Sequence, residues 1–260
     1  MELVDTHCHI HFPDYELDQE EAIANAKKAG VTRLLCVGCT LTDSKLAIQM
    51  ATKHDNIWAT IGLHPHEGAE YVNDPQALEE FRNLATKKKV VAVGETGLDY
   101  HYMHSTKQDQ EKLLRFQLSL AAEHNLPLIF HIREAFDDFW KIFDEYQAAG
   151  AKLRGVAHSF SATPKELDQV LTRGLYAGLN GIMTFTKDSQ QLAAAKTVPL
   201  DRLLLETDAP FLTPVPFRGK VGEPKYVRTI AEFLSNLRGE PLETLASATT
   251  RNAIGLFNLR

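Results

Sequence analysis

The chain has 260 residues, 44% of them hydrophobic and 24% charged, with a net charge of −6. This is ordinary for a globular protein with a large core, and it excludes a molecule coated in basic surface. A nucleic-acid substrate is not excluded, because a metal site can supply local positive charge.

Apolar runs recur along the chain, and a helical pattern usually follows each. After L-V (3–4), V-T-R-L-L-C-V-G (31–38) leads into a helical stretch at 42–51. I-W-A-T-I-G-L (57–63) leads into 76–84, and V-V-A-V-G (90–94) into a long amphipathic stretch at 108–123. L-P-L-I-F (126–130) precedes 136–143, and G-V-A (155–157) precedes 163–171, where Thr163 suits an N-cap and Pro164 the first helical position. G-L-Y-A-G-L (174–179) precedes 189–195, and L-L-L (203–205) precedes 226–234. Short apolar strands alternating with helices predict a parallel sheet buried on both faces. Eight such units predict a single-domain α/β fold over residues 1–260, a (β/α)8 TIM barrel with its site at the carboxyl ends of the strands. A doubly wound open sheet is the structural rival.

No apolar run is long enough to span a bilayer, so no membrane partner is expected. The first residues lack a basic segment followed by an apolar one, so no signal peptide is expected. Cys8, Cys36 and Cys39 are few and odd in number, which fits reduced thiols in the cytoplasm. Cys36 and Cys39 form a C-x-x-C without the further ligands a zinc site needs, so packing is their expected use. No obligate protein partner is evident.

The polar residues cluster by position. His7 and His9 end the first strand in V-D-T-H-C-H-I (4–10), and His64, Glu95, His131, His158 and Asp208 each follow a later strand. A lone histidine there is an ordinary loop residue, and a lone acid an ordinary helix cap. Independent caps would not select four histidines as ligands together with a Glu and an Asp from the same end, so a metal site is expected. The ligand candidates are His7, His9, Glu95, His131, His158 and Asp208. These are too many for one tetrahedral ion. Two divalent cations sharing Glu95 would use them all, with His7, His9 and Asp208 on one and His131 and His158 on the other. Imidazoles suit Zn, Mn, Fe or Co better than Mg. Such a pair can activate a water, with Asp208 as general base. Asp5 and Glu206 share strand parity with His7 and Asp208 and are expected to orient the ligands from below, or simply to be buried. Arg133 suits a phosphate or carboxylate, and Arg218 and Lys220 can add positive charge. His66 and His101 lie in neighbouring loops within reach of substrate. The remaining histidines, His11 included, are expected to be solvated.

The motifs D-T-H-C-H, I-G-L-H-P, G-E-T-G-L-D-Y, H-I-R-E-A, H-S-F-S and E-T-D-A-P-F-L-T-P, then P-F-R-G-K, strongly resemble those of TatD-type metal-dependent deoxyribonucleases. The resemblance runs from residue 3 to R-N-A-I-G-L-F near 257. It implies an amidohydrolase-like barrel with a divalent-metal centre, usually described as Mg-dependent, whose ligands match the six residues above. It further implies substrate contacts at His64 and Arg133. The chain departs from the family at Ala162 and Gly222, and neither departure removes a ligand. The expected activity is hydrolysis of DNA phosphodiester bonds, from single strands or 3′ ends, in the 3′→5′ direction. Two rivals stand beside it. An amidase, lactonase or ester deacylase would use the same centre, and a non-catalytic binding protein would sit on a retained barrel.

Overall fold

The eight apolar runs become eight strands in a computed structural model that describes all 260 residues. They are β1 (Leu3–Cys8), β2 (Val31–Val37), β3 (Ile57–Ile61), β4 (Val90–Asp99), β5 (Leu128–Arg133), β6 (Gly155–Ala157), β7 (Tyr176–Leu179) and β8 (Leu203–Leu205). They form one eight-stranded sheet in sequential order, and the pairs β1–β2, β3–β4, β4–β5, β6–β7 and β7–β8 are parallel. Parallel strands need helical crossovers. These are supplied by α1 (Gln19–Lys28), α2 (Leu41–Lys53), α3 (Gly68–Tyr71), α4 (Pro75–Leu84), α5 (Lys107–His124), α6 (Phe136–Ala148), α7 (Pro164–Thr172) and α8 (Ser189–Thr197), with α9 (Val227–Arg238) and α10 (Leu242–Phe257) after the last strand. The order and crossovers are those of a (β/α)8 barrel. Backbone contacts divide the chain into two compact units, Met1–Cys36 with Val156–Arg260, and Val37–Gly155.

In the first unit, β8 returns to β1 through a dense set of hydrogen bonds. Asp5 accepts from the Thr207 backbone N–H at 2.9 Å and from its hydroxyl at 2.6 Å. Thr6 donates to the Leu205 carbonyl at 3.0 Å. Beyond the strands, Asp208 N–H donates to His7 O at 2.8 Å and His9 N–H to Ala209 O at 2.6 Å. Residue 208 is thereby delivered beside residues 7 and 9. Thr163 and Glu166 close a capping box at the start of α7, with Pro164 in its first turn, as the sequence predicts.

In the second unit, β4 runs five residues past Gly94, where the apolar run ends, and continues through buried polar positions to Asp99. It pairs with β5 in the register Gly97↔His131 and Asp99↔Arg133. A side chain at Gly97, where φ is +155°, would collide with the His131 backbone, so only glycine lets the strands close here. Two buried glutamines of α5 hold the strand ends from behind. Gln110 accepts from Asp99 N–H at 2.8 Å and donates to Asp99 O at 2.9 Å. Gln117 does the same for Leu63, at 2.8 Å in both directions. Leu63 immediately precedes His64, so Gln117 fixes the backbone next to a residue of the predicted site, and Gln110 fixes the backbone of Asp99 itself.

Candidate metal centre

Four donors converge in the first unit. The Nε2 atoms of His7 and His9 lie 3.1 Å apart, and they are 3.5 and 3.4 Å from Asp208 Oδ1. His158 Nε2 lies 3.7 Å from the same oxygen, and its ring stacks on that of His7 with centroids 3.4 Å apart. Stacked imidazoles disfavour two adjacent positive charges. Three imidazole nitrogens facing one carboxylate oxygen suit a shared divalent cation, which takes neutral His nitrogen and ionised carboxylate. Burial alone would raise the Asp208 pKa. The hydrogen bond from His9 and the nearby His158 and His7 outweigh it and hold that carboxyl below its ordinary range. Asp208 also sits at φ +64°, in the left-handed region that an aspartate tolerates better than most residues.

Glu206 lies below this cluster. Its Oε1 is 2.9 Å from His158 Nδ1 and accepts the Ser159 N–H at 2.6 Å, while Oε2 is buried without a hydrogen-bond partner. A Cβ at Gly178 would collide with that carboxylate, so the glycine makes its room. His7, His158 and Glu206 each offer an atom within 4.8 Å of the others. Asp5, fully buried, meets the backbone N–H of His7 at 3.2 Å rather than its ring. Burial raises its pKa well above the ordinary carboxylate value, despite the hydrogen bonds from Thr207 and His7.

The second unit carries another cluster. His131 lies between two carboxylates, with Nδ1 2.8 Å from Glu95 Oε1 and Nε2 2.9 Å from Asp99 Oδ2. His66 Nε2 reaches the same Asp99 oxygen at 3.2 Å, and His64 Nε2 lies 3.7 Å from Glu95 Oε1. Burial works against a charge on His131, but the bonds to Asp99 and Glu95 outweigh it and push its pKa up to about 9. Burial of Asp99 is outweighed in turn by hydrogen bonds from His131, the Tyr102 N–H and His66, which hold its carboxyl far below the usual range. Burial, then the neighbouring His131, push His64 well below the usual imidazole value. His64, Glu95 and His131 form a second group whose donor atoms lie within 4.8 Å of one another, a further fit to a cation.

The remaining predicted residues are placed as follows. Arg133 ends β5, exposed, with its guanidinium 4.7 Å from the Tyr102 ring centroid. His101 pairs with Glu134 at 2.8 Å. Arg218 donates to Thr213 O at 2.7 Å, and Lys220 lies in the same loop. His11 is not solvated: it is buried, with its ring 5.1 Å from Phe12 and 6.0 Å from His9. Asp99 was not singled out by sequence reasoning, although it shares the parity of Glu95 along the extended β4. Cys8, Cys36 and Cys39 carry no disulfide, and Cys8 donates to Leu35 O at 3.3 Å.

The family model for TatD related DNase matches residues 4–258. The chain belongs to that family. It is 38% identical over 257 residues to the metal-dependent hydrolase YabD of Bacillus subtilis, covering 99% of both chains. It is 36% identical over 261 residues to the 3′-5′ ssDNA/RNA exonuclease TatD of Cronobacter sakazakii, covering 98% of this chain and 97% of that one. The crystal structure of the TatD homologue YjjV of Escherichia coli superposes with a TM-score of 0.91 at 30% identity over 98% of each chain. The protein is accordingly a TatD-family metal-dependent hydrolase with the (β/α)8 barrel fold.

Proposed function

We propose that the protein is a nuclease that hydrolyses phosphodiester bonds of single-stranded DNA from the 3′ end, acting as one domain in the cytoplasm. The observation that supports it best is the convergence of His7, His9 and His158 Nε2 on Asp208 Oδ1, within 3.7 Å. Relatives named as single-strand exonucleases add weight.

In this reading His7, His9, His158 and Asp208 would hold one ion, and Glu95 and His131 would hold the other. Bound divalent cations would polarise a phosphoryl oxygen and ease deprotonation of an attacking water. Asp208 takes the proton of that water as its oxygen attacks phosphorus. The P–O ester bond on the far side breaks, and the leaving oxygen takes up a proton. Arg133, Arg218, Lys220 and His64 bind the substrate phosphates. Glu206 orients His158, Asp99 orients His131, and Asp5 acts through the backbone of His7.

Incubating the protein with 5′-labelled single-stranded DNA and Mg, Mn, Zn or Co tests this. A ladder shortening from the 3′ end is expected, and no cleavage with any of the four metals overturns it. Glu95→Ala should lower metal content from two ions; unchanged content would refute its role as a ligand. The net charge of −6 favours a second reading, hydrolysis of a small amide, lactone or ester. Turnover of such a substrate would be nearly indifferent to salt, whereas DNA cleavage weakens as salt rises.

A further inference from the structure

A cavity of about 460 Å³ lies in the unit that contains His7, His9 and Asp208. Its wall is continuous with that cluster. Phe12 lines it and stacks on the His9 ring at 4.7 Å and 24°. Phe211 lines it too, 6.3 Å from His9, and its backbone N–H donates to Asp208 O at 2.8 Å.

Phe211 is 53% exposed. A large aromatic left open beside a cluster of metal-ligating residues has no packing reason to be there. Its cavity neighbours supply one. Arg218 and Lys220 line the same space. Arg218 is braced by the Phe185 ring, 4.0 Å away, and by one hydrogen bond to Thr213 O, which leaves further donors of its five-donor fork. The Lys220 backbone is held by its carbonyl, which accepts from the Thr213 hydroxyl at 2.8 Å, and its ammonium lies 5.7 Å from the Phe217 ring centroid. Aromatic faces beside anchored cations are the pairing that binds single-stranded nucleic acid, the ring taking a base and the cations the backbone. Asp14 and Glu16 also line the cavity. Their carboxylates repel a phosphate and can accept from sugar hydroxyl or base amino groups, which gives the ligand a direction. The volume falls in the range of small-ligand sites, about 300–1,000 Å³, so it suits one nucleotide and not a duplex.

We propose that this cavity seats one nucleotide of a single-stranded nucleic acid, its base stacked on Phe211 and its phosphate held by Arg218 and Lys220, beside the bond to be cleaved. The assignment rests on the nuclease reading above and adds to it the base contact.

The test uses the metal-loaded full chain and single-stranded oligonucleotides whose terminal or penultimate 3′ residue is intact or abasic. For the wild type, one of the two abasic strands should show KM raised about tenfold, roughly 1.4 kcal/mol. Phe211→Ala should raise KM for the intact strand by a similar factor and lose the distinction between intact and abasic ends. Phe211→Trp should restore both, and metal content should be equal in all three proteins. If Phe211→Ala raises KM equally for intact and abasic strands, the residue is only structural and the assignment is overturned. It is also overturned if the wild type cleaves both strands alike. If the wild type cleaves no strand, the nuclease reading itself fails and takes the assignment with it.

Discussion

His131 bonds to two carboxylates at once, Glu95 on one ring nitrogen and Asp99 on the other. A histidine held this way has its ring plane fixed by groups outside itself, and the loss of either partner frees it. Asp99→Asn keeps the shape and removes the charge. Metal affinity or turnover is expected to fall about 10–100-fold, read by metal titration and by cleavage rate. His66 loses its partner in the same variant. The six ligand candidates were legible because each follows an apolar run, where position and residue type coincide. Asp99 was not, because the run V-V-A-V-G ends at Gly94, and the continuation E-T-G-L-D holds only one apolar residue, Leu98. The available signal was parity: Glu95, Gly97 and Asp99 alternate along one strand. His11 was misread because a loop histidine next to Phe12 and His9 gains burial from neighbours that no local pattern reveals.

At the scale of the element, α5 works as a clamp as well as a crossover. Gln110 and Gln117 lie seven positions apart, on one helical face, and each satisfies both backbone groups of a residue at the end of β4 or just past β3. Gln117→Ala would leave the Leu63 N–H and C=O buried without partners. At about 1–3 kcal/mol for each group, a loss of roughly 2–5 kcal/mol is expected, measured by urea unfolding. Helices with long apolar stripes were readable, and α7 was also marked by its Thr-Pro start. Three helices were not: α1, the four-residue α3, and α10. The buried positions of α1 are only Ala22 and Ala26, too small to stand out as an apolar stripe. Three of those in α10 are alanine and two threonine. Alternation predicted parallel strands joined by helices but left a doubly wound sheet as rival; the sequential order β1 to β8 decides between them.

At the scale of the molecule, metal binding and folding are linked. Ions at a hundredfold excess over Kd stabilise the folded chain by about 2.7 kcal/mol. Chelation is therefore expected to lower Tm by roughly 5–10 °C, seen by thermal unfolding with and without a chelator. The net charge of −6 means that cations for a polyanion must be concentrated locally. If Arg133, Arg218 and Lys220 carry the phosphate contacts, the logarithm of single-strand affinity should fall with the logarithm of salt with a slope of about −2. A much steeper slope would mean that other basic residues take part.

The bonds from Thr207 to Asp5 span 202 positions of chain. Asp208 follows at once, and it faces His7 and His9. During synthesis at about 5–20 residues per second, the first ligands leave the ribosome roughly 10–40 s before the last. For that interval the donor set lacks its carboxylate, and β1 lacks the strand that ties it down. If His7, His9 and Asp208 form the metal site, a hydrolase assembled from both distant parts of its chain stays silent until translation has passed residue 208. Chains cut short before that point are expected to be inert.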